Sequence, residues 1–163
     1  QVFGSVNPVA SAHFNFSILE PTGVVSVLAP ENSPLLGLVS VIAPIIAGGN
    51  TCIVHASEQY PLPSISFAEV LNSSDVPGGV VNILTGIRSE LVEHFSSHMD
   101  VNSILYTDKL DKETKVKIDE LSSNNIKRVV KKNITDWYEA DSASPYFVVD
   151  FQETKTTWHP VGF

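Results

Sequence analysis

The sequence predicts an α/β fold: a doubly wound, Rossmann-like parallel sheet with flanking helices, plus a small antiparallel arm made by the two termini. Three observations carry this. Short β-branched runs alternate with segments of helical length from residue 24 to residue 130, the pattern of βαβ units. The first of these runs, VVSVLA, is apolar on both faces, as interior parallel strands are. Segments 13–19 and 146–158 have the pattern of strands yet stand outside the alternation. Right-handed crossovers between about five parallel strands then place helices on both faces of the sheet.

Each element has its own reason. His13–Leu19 puts Phe14, Phe16 and Ile18 on one face, which reads as a half-buried strand. Glu20-Pro21-Thr22-Gly23 is turn chemistry, and Val24–Ala29 is the first interior strand. Pro30 to Pro34 breaks it. Ser33 reads as an N-cap and Pro34 as the first residue of an apolar helix running to Ala47, with Pro44 as an internal kink and Gly48-Gly49 as its stop. Then come strand Thr51–His55, helix Leu62–Leu71, turn Pro77-Gly78-Gly79 and strand Val80–Leu84. Helix Ser89–Ser97, strand Asn102–Thr107, the charged helix Lys109–Leu121 and strand Ile126–Val130 complete the alternation. Lys131–Ser144 is polar and irregular, and Tyr146–Trp158 reads as extended. There is no internal repeat.

Composition narrows the function. Of 163 residues, 43% are hydrophobic and 17% charged, too little charge for a disordered chain or a coiled coil. A net charge of −8 repels phosphate backbones and argues against nucleic-acid binding. The longest apolar run, Pro34–Ala47, falls short of the ~20 residues a membrane helix needs. It also lacks the basic flank of a signal peptide, so no membrane association is expected. The sequons at Asn15, Asn72 and Asn133 read as chance, and the expected compartment is the cytoplasm.

The single cysteine, Cys52, excludes a disulfide framework and a Cys-rich zinc site. It lies in an apolar strand, where a buried small hydrophobe is the better reading than a thiolate nucleophile. His94 and His98 have the spacing of two metal-binding imidazoles, with Glu90 or Asp100 as a third ligand, but no H-E-x-x-H occurs and no metal is expected. No G-x-G-x-x-G, P-loop or G-x-S-x-G is present.

Five stretches in register carry a resemblance. EPTGVVSVLAPENSP, IAPIIAGGNTCIVHASEQYPL, DVPGGVVNILTG, HMDVNSILYT and NIKRV resemble, in order and spacing, the cofactor domain of the aldehyde dehydrogenase superfamily. The chain is similar to one such domain over 1–163. A nucleotide-binding-type core spans 20–132, and segments 13–19 and 146–158 stand where the family has oligomerisation strands. The resemblance implies NAD or NADP as cofactor.

Residue by residue the resemblance is uneven. Pro30, Glu31 and Asn32 match the family's P-W-N. Asn32 stands where the oxyanion-stabilising asparagine does, and Glu31 replaces the tryptophan. His55, Ala56, Ser57 and Glu58 match K-P-S-E, so Ser57 and Glu58 take ribose-facing positions while His55 replaces the lysine. Gly79 matches a glycine that lets adenine approach the backbone. At the phosphate loop only Thr107 is kept. Asp108 sets like charge against phosphate, which implies loss of the cofactor, and Lys109 compensates in part. Lys132 stands at the position of the general-base glutamate, and no stretch resembles the catalytic-cysteine segment, so no catalytic residue is assigned.

Three functions follow as expectations. The first is a catalytically silent aldehyde-dehydrogenase-like domain serving association, as a homodimer or with an active aldehyde dehydrogenase domain. The second is the NAD(P)-binding part of an aldehyde oxidoreductase whose cysteine lies on another domain or chain. The third is a small-molecule sensor using the old crevice, with His55 and Glu58 as contacts.

Overall fold

A computed structural model describes residues 3–107 and 110–162. The chain runs β1 (Ser5–Asn7), β2 (His13–Pro21), β3 (Val24–Leu28), α1 (Leu36–Ala47), β4 (Thr51–His55), α2 (Leu62–Asn72) and β5 (Val81–Leu84). It continues through α3 (Arg88–Ser97), β6 (Ser103–Tyr106), α4 (Lys112–Ser123), β7 (Arg128–Lys131), two 3-10 helices (Ala140–Ala143 and Pro145–Phe151) and β8 (Gln152–Pro160).

Five strands form a parallel sheet in the order β5-β4-β3-β6-β7. The winding reverses at β3, so a crevice lies at the carboxyl ends of β3 and β6, where open α/β sheets place ligands. The sheet is covered on both faces, and this explains its apolar strands. Val25, Val27, Cys52, Val54 and Leu105 pack on one side with α1, Trp137 and Phe151. Leu28, Ile104 and Tyr106 pack on the other with Val92 and Phe95 of α3 and Ile118 of α4.

The termini form the second sheet. β2 lies between β1 and β8, all antiparallel, in a register from His13 opposite Pro160 to Pro21 opposite Gln152. One face is polar and linked: the Asn7 amide donates to Asn15 Oδ1 and Ser17 Oγ, and Ser17 meets Thr156 at 2.8 Å. The other carries Val6, Phe14, Phe16 and Ile18, and Phe14 is still 47% exposed. The two terminal strands therefore pair with one another as expected.

Several boundaries differ from expectation. Tyr146–Trp158 is not extended throughout, because residues 145–151 form a 3-10 helix and the strand starts at Gln152. Pro145 presets a helical φ, the Ser144 side chain accepts from the Tyr146 N–H, and Phe151 turns inward to full burial. Helix α1 starts at Leu36 rather than Pro34, although Ser33 Oγ does accept the Gly37 N–H at 2.9 Å. The last parallel strand starts at Arg128, since Ile126 has φ +55° and cannot continue a strand. That left-handed β-branched residue is held from both sides. Asn125 Nδ2 donates to the carbonyls of Met99 and Val101, and the Lys127 ammonium donates to those of His98 and Val101. Strand β1 has too few residues for a periodic signal.

Candidate functional site

The residues after β3, β4 and β5 meet at one rim of the crevice. The ladder extends past the strands, with the Ala29 N–H on His55 O and the Ala56 N–H on Leu84 O, both at 2.9 Å. This fixes Pro30, Glu31, Ser57 and Glu58 as neighbours. Glu31, read above only as a missing tryptophan, is the hub. Its carboxylate accepts from Ser57 Oγ (2.6 Å), from the backbone N–H groups of Glu58 (3.1 Å) and Gln59 (3.2 Å), and from the Arg88 guanidinium (2.6 Å). Burial raises the Glu31 pKa, but the Ser57 hydroxyl, the two N–H groups and the Arg88 charge together hold it below the ordinary 4.5.

Arg88 is the residue that sequence reasoning missed. It opens α3 and reaches back to donate to Ala29 O at 2.6 Å as well as to Glu31. Glu58 Oε2 accepts the Arg88 backbone N–H at 2.9 Å, placing a carboxylate on the positive end of α3. Between α3 and α4 lies a cavity of about 620 Å³ walled by Glu58, Ile87, Val92, Leu110 and Asp111. Apart from Glu58 these wall residues also carried no sequence signal, because their roles depend on two helix N-termini converging.

His55 is fully buried, its Nε2 2.9 Å from Gly86 O, and its Nδ1 meets no hydrogen-bond partner among the described residues. It is a packed residue at the end of β4. Thr107 is 7% exposed at the end of β6, its hydroxyl also without a partner among the described residues. Asp108 and Lys109 lie outside the described residues.

Two matched residues are placed elsewhere. Asn32 turns toward the C-terminal segment, where its carboxamide oxygen accepts the Trp137 indole N–H at 3.2 Å. Trp137 closes over the start of α1. A Cβ on Gly37 would come within 3.0 Å of the indole and 2.5 Å of Pro30, so glycine is needed for this approach. Gly79 does not line the crevice. It occupies the turn before β5, at the amino end of the sheet, with φ +86° and open space around it, and the turn explains the glycine. Lys132 pairs with Asp150 and lies 3.5 Å from the centre of the Phe147 ring, engaged by the 3-10 segment.

Cys52 sits in the core with its thiol pushed up to about 12 by burial. It is expected to resist alkylation by iodoacetamide at pH 8 in the native chain and to react fully in denaturant; rapid native labelling would contradict its burial. His98 falls past the end of α3, and its Nδ1 accepts the Asp100 N–H, so it does not share a helical face with His94. Among the described residues no three of His, Cys, Asp or Glu converge as metal ligands. No helix there is long and apolar enough to cross a membrane.

A doubly wound parallel sheet with its crevice at the switch point defines a Rossmann-like α/β domain. The model of the aldehyde dehydrogenase family matches residues 1–133, and the chain belongs to that family. It is 38% identical over 107 residues to hydroxyisobutyraldehyde dehydrogenase of Mycolicibacterium austroafricanum, a match covering 66% of this chain and 21% of that protein. It is 31% identical over 148 residues to the NADP/NAD-dependent aldehyde dehydrogenase PuuC of Escherichia coli (strain K12), covering 91% of this chain and 28% of that one. Among solved structures, PnpE from Pseudomonas sp. WBC-3 is similar with a TM-score of 0.74 and 32% identity, over 80% of this chain and 26% of that chain. The chain thus spans between 21% and 28% of the length of these proteins.

Proposed function

We propose that this chain is an aldehyde-dehydrogenase-type cofactor domain that is catalytically silent by itself and works by association, with a second copy or with an active aldehyde dehydrogenase domain. The observation that supports this best is where its polar groups are spent. Ser57 and Glu58 are engaged by Glu31 and Arg88, Asn32 by Trp137, and Lys132 by Asp150. The terminal sheet meanwhile leaves Phe14 and Ile18 exposed, and among the described residues no strand pairs with the outer edge of β8. An open edge with an apolar face is a template for association. A lone buried cysteine fits the cytoplasm.

Static light scattering across a concentration series tests the reading. The expected mass is twice 17.7 kDa, falling on dilution; a concentration-independent monomer in the absence of any partner would count against self-association. Addition of an intact aldehyde dehydrogenase then tests the other arm.

A second reading keeps cofactor binding, with the catalytic cysteine on another domain or chain. The cavity between α3 and α4 favours it, because Val92 and Leu110 offer apolar walls and Glu58 stands at the rim. In that reading Glu58 would face the adenosine ribose of the cofactor and accept from its free hydroxyls, at the cost of its bond to the α3 backbone. Bound cofactor would supply hydride acceptance; nothing in this chain supplies the thiolate.

A further inference from the structure

The donors around Glu31 come from two segments, the connection after β4 and the start of α3, and the two side-chain donors are held independently of it. Ser57 Oγ is oriented by accepting the Tyr60 N–H at 3.0 Å, and Arg88 is anchored on Ala29 O at 2.6 Å. The N–H groups of Glu58 and Gln59 are consecutive and point the same way, toward one carboxylate. A hydroxyl, two backbone N–H groups and a guanidinium aimed at one point are the chemistry of an oxyanion receptor. The Arg88 side chain is only 13% exposed, which strengthens its pull. The group that fills the receptor hangs from the short connection after β3 and is itself 25% exposed, so it has a way out.

We propose that the ends of β3 and β4 and the start of α3 form an oxyanion-binding site that the chain fills with its own Glu31, so that a carboxylate-bearing or phosphoryl-bearing ligand enters only by displacing that side chain. The tether gives Glu31 a high effective concentration, which shuts out small free anions in the native chain. Glu58, drawn to the Arg88 N–H, stands beside the receptor and opposes a second negative charge. A singly charged carboxylate is therefore the preferred class over a phosphate dianion.

Thermal unfolding of Glu31→Ala in sodium formate, inorganic phosphate and sodium chloride at equal ionic strength tests this. The variant is expected to melt several degrees below the native chain in chloride. Formate should restore at least half of that loss saturably and chloride none, while the native chain responds alike to both. In the double variant Glu31→Ala, Arg88→Met the gain from formate should vanish. Phosphate matching or exceeding formate would assign a phosphoryl ligand to the same site. Equal responses to formate and chloride, or a gain that survives loss of Arg88, would overturn the proposal. If Glu31→Ala is unfolded in chloride, recovery of its far-ultraviolet circular dichroism in formate supports the site, and no recovery overturns it. The readout is the folding of the single chain, so its failure leaves the association reading standing.

Discussion

Replacing Phe151 by alanine is expected to lower the unfolding midpoint by about 10 °C, the largest effect of any single change considered. A buried Phe→Ala costs about 3–5 kcal/mol through lost transfer energy and the cavity left behind. For a chain of this size each kcal/mol moves the midpoint by roughly 2–4 °C. Phe151 is fully buried in the cluster that holds Val25, Ile45 and Trp137. Its backbone is as well used as its ring, with the carbonyl accepting from Asn50 Nδ2 at 3.0 Å and from the Thr22 N–H at 3.1 Å. Beside it Gln152 Nε2 donates to Gly48 O. The C-terminal segment is thus part of the core, and it sets where β8 meets β2. Circular dichroism melts check this. A shift of a degree or two would mean that the segment is not docked as described, and that the terminal sheet is not positioned through it.

Arg88→Met is expected to cost about 2 kcal/mol at pH 7, with a dependence on pH that identifies its cause. Breaking a buried ion pair strands the remaining charge at a cost of several kcal/mol, and partial exposure of both groups reduces that figure. Glu31 has a folded pKa below its unfolded value. Its contribution to stability is therefore present above about pH 4.5 and is lost as pH falls through the folded value. The gap between native chain and variant should accordingly be full at pH 7 and shrink as pH falls below about 4.5. Urea unfolding at a series of pH values measures it, and a gap that stayed constant would contradict the role given to Glu31.

Much of the fold was legible because short β-branched runs, apolar on both faces and alternating with segments of helical length, mark interior parallel strands. Val24–Leu28 and Thr51–His55 stand where VVSVLA and TCIVH placed them. The tail was harder. YFVV has the composition of a strand, yet Pro145 and the inward turn of Phe151 coil it, and single-residue burial is invisible to periodicity. At the crevice, the proximity of Pro30, Glu31, Ser57 and Glu58 follows from the parallel pairing of β3 with β4. Arg88 did not follow from any spacing, since its partner lies 57 residues earlier and the two meet only when β5 and α3 are in place. Gly79 shows the opposite error. A motif that leads into a strand lies at the amino end of the sheet, and the crevice is at the carboxyl end.

The measurement that tests the central claim most directly is a calorimetric titration of the purified chain with NAD and with NADP. With Ser57 and Glu58 committed to Glu31 and Arg88, we expect no saturable heat from either up to millimolar concentrations. Saturable binding in the micromolar range would contradict the silent crevice and make the cofactor-holding part of an aldehyde oxidoreductase the leading reading.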